Sequence, residues 1–223
     1  MKIFASWSGG KDRALATCKV IKQGHEVRYL LNFISEDGAA CRAHGIPPDV
    51  IALQAEAMGI RLLQVRTSWD NYEENFKRTV RDLKEQGIEG GVFGDMDIAE
   101  HRAWIERVCA ETGITPLLPL WQVEPAKLMD EFLKLGFKAL VVATRLDKKL
   151  LGRVLDTKLL GEIKELGSHI CGENGEYHSY VTDGPIFMRA LNIIPKEIIE
   201  KDGSSLLNIT AELLPDKSDN LSR

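Results

Sequence analysis

Two adjacent glycines and a lysine lie near the N-terminus, in the segment Ser6-Trp7-Ser8-Gly9-Gly10-Lys11-Asp12. They follow a short strand-like run and open a helical pattern. Paired glycines let the backbone turn tightly with its N–H groups facing an anion, and a helix N-terminus and Lys11 would add positive charge. The segment therefore predicts a phosphate-binding loop, with Lys11 on an exposed turn. The alternative is an ordinary strand-to-helix turn with a solvated lysine, since the loop matches neither the Walker nor the dinucleotide pattern.

A second group of polar residues follows the strand predicted at 91–94. Ligands of open α/β sheets bind at the carboxyl ends of the strands, so Asp95 is interpreted as a magnesium or ribose contact. The alternative for both acids, stronger for Asp97 than for Asp95, is that they only cap the next helix. His101 and Arg102, in the first turns of that helix, can reach the same edge, although a solvated helix face is the simpler interpretation.

The segment 169–185 mixes carboxylates, histidines, tyrosines and glycines, a composition that is not typical of a core. Carboxylates stabilise ammonium, and a carboxylate or an imidazole can accept a proton from it. We expect Glu173, Glu176 and His178 to bind the acceptor and ammonia, if this segment faces the carboxyl edge of the sheet. The alternative is that these acids only cap turns and pair with basic side chains.

These side chains need a frame, and hydrophobic periodicity predicts one. Strand-like runs alternate with helices at 13–23, at 49–58, from Asp70 with a capping pattern to Glu73, and at 98–112. Five βα units predict a doubly wound parallel sheet over residues 1–122.

A smaller α+β domain is expected over 123–215. It should contain helices at 124–135 and 156–166, a strand at 139–144, a polar segment at 167–185, and two strands around Asp202-Gly203. Residues 216–223 are expected to form a disordered tail.

Composition narrows the class of protein. The chain has 223 residues, and 44% of them are hydrophobic, which excludes a disordered or fibrous protein. The net charge is 29 − 33 = −4, which disfavours a nucleic-acid partner. No apolar run is long enough for a membrane span and no signal peptide is visible, so a cytoplasmic protein without a membrane partner is expected. Four scattered cysteines without a Cys-x-x-Cys pair predict buried thiols.

The phosphate loop resembles the Ser-Gly-Gly-Lys-Asp-Ser loop of the PP-loop ATP pyrophosphatases, which cleave ATP between the α and β phosphates. Arg13 replaces the final serine of that motif, and its guanidinium either contacts phosphate or points to solvent. The resemblance implies catalytic roles for Lys11 and Asp12, and with them Asp95 and Glu176, from the two polar groups described above, complete the expected catalytic residues. It also implies a nucleotide-binding set that comprises Ser6, Ser8, Gly9, Gly10, Lys11, Asp12, Arg13 and Gly94.

Further motifs are similar to one branch of these proteins, the diphthine-ammonia ligases. They are His44-Gly45, His101-Arg102-x-Trp104, Leu151-Gly152-Arg153 and Cys171-Gly172-Glu173-x-Gly175-Glu176-Tyr177, where Asn174 departs from the usual glycine. The resemblance implies an ATP-dependent ligase that converts a carboxylate and ammonia into an amide and releases AMP and pyrophosphate. Implied with it are Mg²⁺ at Asp95, diphthine on elongation factor 2 as acceptor, and a homodimer.

Substrate contacts are then expected from His44, His101, Arg102, Glu173, Tyr177 and His178. Two alternatives stay open at this point. One is a PP-loop enzyme that amidates or thiolates another substrate, for example a modified tRNA base. The other is a sensor that binds an adenine nucleotide without catalysis.

Overall fold

The structure is a computed structural model that describes residues 1–41 and 45–218. Its first half contains a sheet of five parallel strands in the order β3-β2-β1-β4-β5. The elements are β1 (Lys2–Ser6), α1 (Lys11–Lys22), β2 (Glu26–Ile34), α2 (Pro48–Met58), β3 (Arg61–Arg66), α3 (Tyr72–Glu85), β4 (Gly90–Val92), α4 (Ala99–Thr112) and β5 (Thr115–Leu117). The predicted doubly wound parallel sheet is confirmed.

The central strand β1 shows why the sheet forms here. Ile3, Phe4 and Ala5 are fully buried, as expected for a strand with helices on both faces of its sheet. Both neighbours of β1, β2 and β4, come later in the chain, so the strand order reverses at β1. A crevice opens at such a reversal, at the carboxyl ends of the strands. It places the loop after β1 beside the loop after β4.

Gly94 allows these two loops to meet closely. A Cβ atom at this position would lie 2.9 Å from the backbone nitrogen of Arg13 and 3.0 Å from the carbonyl carbon of Asp12. Such contacts are shorter than van der Waals distances, and backbone atoms cannot move aside as a flexible side chain can. Glycine therefore brings the acidic end of β4 against the N-terminus of α1.

The second half builds an antiparallel sheet in the order β7-β6-β9-β8. Its elements are α5 (Pro125–Lys134), β6 (Lys138–Thr144), a short 3₁₀ helix (Lys148–Leu150), α6 (Thr157–Glu165), β7 (Tyr177–Asp183), β8 (Arg189–Lys201) and β9 (Ser204–Asp216). The predicted pair of strands around Asp202-Gly203 is confirmed and is longer than expected. Both turn residues have positive φ, 50° and 75°.

Strand β7 corrects the interpretation of 167–185 as a purely polar segment. Tyr177, Tyr180 and Val181 are almost completely buried. The strand is attached to the first half of the molecule, because Val181 donates its N–H to the carbonyl of Gly9 over 2.9 Å and the Tyr180 hydroxyl donates to the carbonyl of Val50 over 2.8 Å. One continuous hydrophobic core accordingly contains residues of both sheets.

One predicted helix boundary is wrong. Helix α3 begins at Tyr72 rather than Asp70, and the carboxylate of Glu73 forms no capping box because it accepts hydrogen bonds from Trp104 and Arg107. The predicted tail at 216–223 overlaps β9, which ends at Asp216. Residues 219–223 lie outside the described part of the chain.

Two other expectations can be compared with the structure. All four cysteines are buried and free, as predicted. Within residues 1–41 and 45–218, no helix has both the length and the apolar character needed to cross a membrane.

Candidate active site

A cleft of about 200 Å³ opens where the loops after β1 and β4 meet the segment that precedes β7. Three stretches that are far apart in sequence form it. The lining residues are Ser8, Gly10, Lys11, Asp12, Arg13, Gly94, Asp95, His101, Gly172, Glu173, Tyr177, His178 and Ser179. Most of the predicted site residues are therefore brought together.

The end of the cleft at α1 is prepared for an anion. The N-cap residue of this helix is Gly10, which has no side chain to pair with the backbone N–H groups of the first turn. The hydroxyl of Ser8 is buried and has no hydrogen-bond partner in the described part of the chain. Leaving a buried polar group unpaired costs about 1 to 3 kcal/mol, so a ligand oxygen at this position would be stabilised. A helix N-terminus beside it adds partial positive charge, as a phosphate requires.

Lys11 supplies a full positive charge, but not from an exposed turn, so that expectation is wrong. Only 3% of the residue is exposed. Its Nζ donates to the backbone carbonyl of Cys171 and, over 2.9 Å, to Asp12, and it lies 5.0 Å from the centre of the Tyr177 ring. Burial alone would lower the pKa of Lys11, but the charge of Asp12 and the other neighbours outweigh it and raise the pKa. Lys11 is therefore a permanently charged group, held in place by the segment before β7.

Arg13 does not point simply to solvent. Its Nη1 donates to the hydroxyl of Ser6 over 2.5 Å and its guanidinium lines the cleft. Arg13 thus adds a second positive charge at the position where PP-loop sequences usually have serine.

Asp95, His101 and Glu173 form a cluster, with one potential ligand atom from each residue lying within 4.8 Å of the others. Nδ1 of His101 is 3.3 Å from the carboxylate of Asp95. Burial raises the pKa of Glu173 to about 7, and the charges of Asp12 and Asp95 raise it in the same direction. Ionisation of Glu173 is therefore unfavourable without a further positive charge, because the carboxylate is buried and lies near Asp12 and Asp95. A divalent cation would relieve this, and carboxylate oxygens are the ligands that Mg²⁺ prefers.

Asp95 itself stays ionised. Burial would raise the pKa of Asp95, but the hydrogen bond with His101 and the charge of Arg13 outweigh it and lower the pKa. Asp97 does not cap α4, and its carboxylate lies 3.5 Å from Nε2 of His169 instead.

Glu176 and Arg102 are not brought to the cleft, contrary to the sequence prediction. The carboxylate of Glu176 accepts hydrogen bonds from the backbone N–H groups of His169 and Asn174, both over 3.0 Å, because the tight loop folds back on it. Arg102 donates to Glu106 over 2.6 Å and covers the ring of Trp121. Gly9 does not line the cleft, and His44 lies outside the described residues.

His178 and Tyr177 line the cleft in different ways. Burial lowers the pKa of His178 to about 4, and the charges of Lys11 and Arg145 add to the effect, so the imidazole is neutral. The hydroxyl of Tyr177 donates to the carbonyl of Ile170 over 2.7 Å, which leaves the ring to support Lys11.

Two functional residues escape the sequence analysis. Ser179 accepts a hydrogen bond from the backbone N–H of Lys11 over 3.2 Å, at the first turn of α1. Gln54, fully buried, donates to the carbonyls of Gly9 and Val181 and thereby fixes the glycine turn against β7. A polar amide within the apolar stretch 50–58 is a signal that could have revealed Gln54.

The fold and the site together define an α/β protein in which a loop suited to an anion lies beside a carboxylate cluster at the carboxyl edge of a parallel sheet. The chain belongs to the diphthamide synthase family, since the model of the N-terminal domain of that family matches residues 1–116 and the model of the C-terminal domain matches residues 124–212.

Similar proteins from several eukaryotes are named diphthine–ammonia ligase. The Danio rerio protein is 27% identical, with 89% of each chain covered, and the Homo sapiens protein is 28% identical, with 89% of this chain and 85% of the human protein covered. The Schizosaccharomyces pombe protein is 29% identical over 90% of this chain, which spans only 37% of the fission yeast protein. A crystal structure described as a predicted subunit of tRNA methyltransferase from Methanocaldococcus jannaschii superposes with a TM-score of 0.47 and 15% identity, covering 83% of this chain and 98% of the other.

Proposed function

We propose that this protein is an ATP-dependent ligase that joins ammonia to the carboxylate of diphthine on elongation factor 2. The names of the similar proteins support the acceptor and the amide product. The observation that carries the proposal is the juxtaposition, in one cleft, of a buried unpaired Ser8 hydroxyl with Lys11 and with the Asp95 and Glu173 carboxylates. The cleft thus offers one site for an anion and another for a cation. A nucleotide that binds together with a metal ion requires both.

The reaction has two steps. A carboxylate oxygen of the acceptor attacks the α-phosphorus of ATP, and the bond to the bridging oxygen breaks, so that pyrophosphate leaves. Ammonia then attacks the acyl carbon of the adenylate, AMP leaves, and the nitrogen loses a proton. Charge on phosphate oxygens dominates the first step, so positioning and neutralisation are what the protein must supply.

The residues of the cleft have separate roles in this scheme. Ser8 and the N-terminus of α1 bind the departing phosphates, and Lys11 and Arg13 neutralise their charge. Asp95, Glu173 and His101 would hold Mg²⁺, which when bound supplies further neutralisation of the phosphates. The neutral imidazole of His178 is an acceptor for a hydrogen bond from ammonia.

The thiolation alternative finds no support in the cysteines. Sulfur transfer requires a thiolate. Cys171, which is beside the cleft, is buried, and burial raises its pKa to about 12. It would therefore remain a thiol at neutral pH.

The test is a reaction of the purified chain with ATP, Mg²⁺, ammonium and elongation factor 2 that carries diphthine. We expect AMP and pyrophosphate, together with an amide on the factor detected by mass spectrometry. Omission of ammonium should remove the amide, and the sensor alternative predicts no turnover. ADP as the main product would reject the proposed cleavage, whereas AMP release without amidation would reject diphthine as the acceptor.

Light scattering of the same preparation tests the expected homodimer.

A further inference from the structure

A second cavity, of about 440 Å³, adjoins the cleft, and five phenylalanine, tyrosine and tryptophan side chains contribute to its walls. We call it the aromatic cavity and define it by Trp69, Tyr72, Phe76, Phe93 and Trp104. It shares Arg13, Asp95 and His101 with the cleft. A ligand in the aromatic cavity can therefore reach polar groups that also line the cleft.

Three of its rings are arranged around one space. The ring centres of Trp69 and Tyr72 are 5.9 Å apart with the planes inclined at 44°, and those of Tyr72 and Trp104 are 5.8 Å apart with the planes inclined at 39°. A cation attracted to an aromatic face lies within about 6 Å of the ring centre. At these separations, one small cation can lie within about 6 Å of the centres of two adjacent rings.

The exposure of the rings also favours a ligand. Trp69 is 68% exposed, which is unusual for the largest hydrophobic side chain. In contrast, Trp104 is held in position because its Nε1 donates to Glu73 over 2.8 Å. One wall of the aromatic cavity is thus fixed and the other is open to solvent.

The charges around the aromatic cavity define the class of ligand. Asp95 and Glu100 contribute carboxylates, and Arg13 contributes a guanidinium on the side shared with the cleft. Aromatic faces with nearby carboxylates suit an organic cation, above all a quaternary ammonium, which has no hydrogen to donate. A carboxylate attached to that cation would be attracted by Arg13.

We propose that the aromatic cavity binds the trimethylammonium group of the acceptor. This inference rests on the proposed function. Diphthine carries a trimethylammonium group and a carboxylate on the same carbon atom, so it matches the class of ligand derived from the walls. With its cation against Trp69 and Tyr72, its carboxylate lies on the Arg13 side, towards the bound nucleotide. The aromatic cavity would then select the acceptor and orient the carboxylate that is to be adenylated.

The test compares two small ligands and three proteins by isothermal titration calorimetry in the presence of ATP. Glycine betaine contains the trimethylammonium group and the carboxylate, and tert-butylacetate has the same shape without the positive charge. The proteins are the wild type, Trp69→Phe, which keeps an aromatic face, and Trp69→Leu, which keeps only an apolar side chain. We expect the leucine variant to bind glycine betaine roughly five- to thirtyfold more weakly than the wild type, and the phenylalanine variant to lie between them.

Several results would overturn the inference. These are equal binding of the two ligands by the wild type, no detectable binding of glycine betaine, or equal affinity of the phenylalanine and leucine variants. A loss of ATP affinity in Trp69→Leu that matches its loss of betaine affinity would assign the aromatic cavity to adenine instead. Amidation of elongation factor 2 by the wild type, measured separately, distinguishes failure of this inference from failure of the proposed function.

Discussion

Lys11 lines the cleft and also links two distant parts of the fold. Its ammonium group is shared between Asp12, the carbonyl of Cys171 and the cleft. The glycine pair and the lysine were enough to predict an anion site. Its burial could not be predicted, because the covering segment comes more than 150 residues later, with Cys171 separated from Lys11 by 160 positions.

The first prediction is that Lys11→Ala abolishes turnover and weakens ATP binding. A charged hydrogen bond contributes about 1.5 to 3 kcal/mol, which corresponds to roughly a tenfold to hundredfold change in dissociation constant. The melting temperature should fall as well, because Asp12 and the carbonyl of Cys171 lose their partner. Titration calorimetry and thermal unfolding measure the two effects. The control is Lys22→Ala, at an exposed position of the same helix. If Lys11→Ala bound ATP as tightly as the wild type, Lys11 would not belong to the site.

Glu173 and Glu176 illustrate a limit of prediction from residue type. Both are carboxylates in one short polar segment, and residue type offers no reason to separate their roles. The shape of the loop separates them, since Glu173 lines the cleft while Glu176 accepts hydrogen bonds from the backbone of the loop itself.

The second prediction contrasts the two glutamates. Glu173→Gln should raise the Mg²⁺ concentration needed for half-maximal AMP release, because the cation cluster loses one negative charge. Glu176→Gln should lower the melting temperature slightly, since an amide replaces one acceptor oxygen with a donor, and should leave the Mg²⁺ dependence unchanged. Activity at graded Mg²⁺ concentrations and thermal unfolding of each variant provide the comparison. If Glu176→Gln alone changed the Mg²⁺ dependence, Glu176 rather than Glu173 would be the residue that serves the cation.

Among the elements, the parallel strands were the easiest to predict and β7 the hardest. A continuous apolar run such as Ile3-Phe4-Ala5 indicates directly that a strand is buried on both faces of its sheet. In β7, His178, Ser179 and Thr182 interrupt the apolar pattern. Ser179 is nevertheless buried, since its hydroxyl pairs with the first turn of α1, and that pairing depends on tertiary structure rather than on local pattern.

The third prediction concerns the contact between β4 and α1. Gly94→Ala should destabilise the protein by about 1 to 3 kcal/mol and weaken ATP binding, because the added methyl group meets the backbone of Arg13. Gly161→Ala is a matched control in α6, where a Cβ atom meets nothing within 4 Å and alanine favours the helix. Denaturant unfolding measures both variants. Equal stability of the two would show that the loops after β1 and β4 can separate without cost.

The fourth prediction concerns the link between α3 and α4. Hydrogen bonds from Arg107 and Lys77 hold the pKa of Glu73 well below its ordinary value of 4.5. Because the pKa in the folded state is lower than in the unfolded state, the link contributes stability above pH 4.5 and loses it as the pH falls further. Glu73→Gln should therefore reduce the dependence of the melting temperature on acid pH. The Glu73 side chain is 37% exposed, so the effect should shrink in high salt.

The fluorescence of Trp104 provides a second measurement, since Glu73 accepts a hydrogen bond from its indole. The low pKa keeps Glu73 ionised in the folded wild type, so this signal should change only with global unfolding, whereas Glu73→Gln should show an altered signal already at neutral pH. An identical acid titration of both proteins would contradict the role of Glu73 in this link.

For the whole molecule, the end of the βα alternation in the sequence predicts a change of architecture near residue 122, and in the structure the last parallel strand is β5 and the first antiparallel strand is β6. The joint between the two halves was not visible in the sequence. It depends on Val181, Tyr180 and Gln54, whose partners lie in the other half of the chain. A hydrophobic pattern predicts which residues are buried, but it does not predict which distant residue each of them contacts.

This joint also determines when the site can exist during synthesis. The hydrogen bond between Lys11 and Ser179 closes a loop of 168 residues, so the parallel sheet leaves the ribosome before the strand that completes its cleft. Until β7 arrives, Lys11 remains in water and the glycine turn lacks its partner. The proposed ATP site is therefore formed only once β7 has been made, and ATP is expected to stabilise molecules that contain β7 in preference to those that lack it.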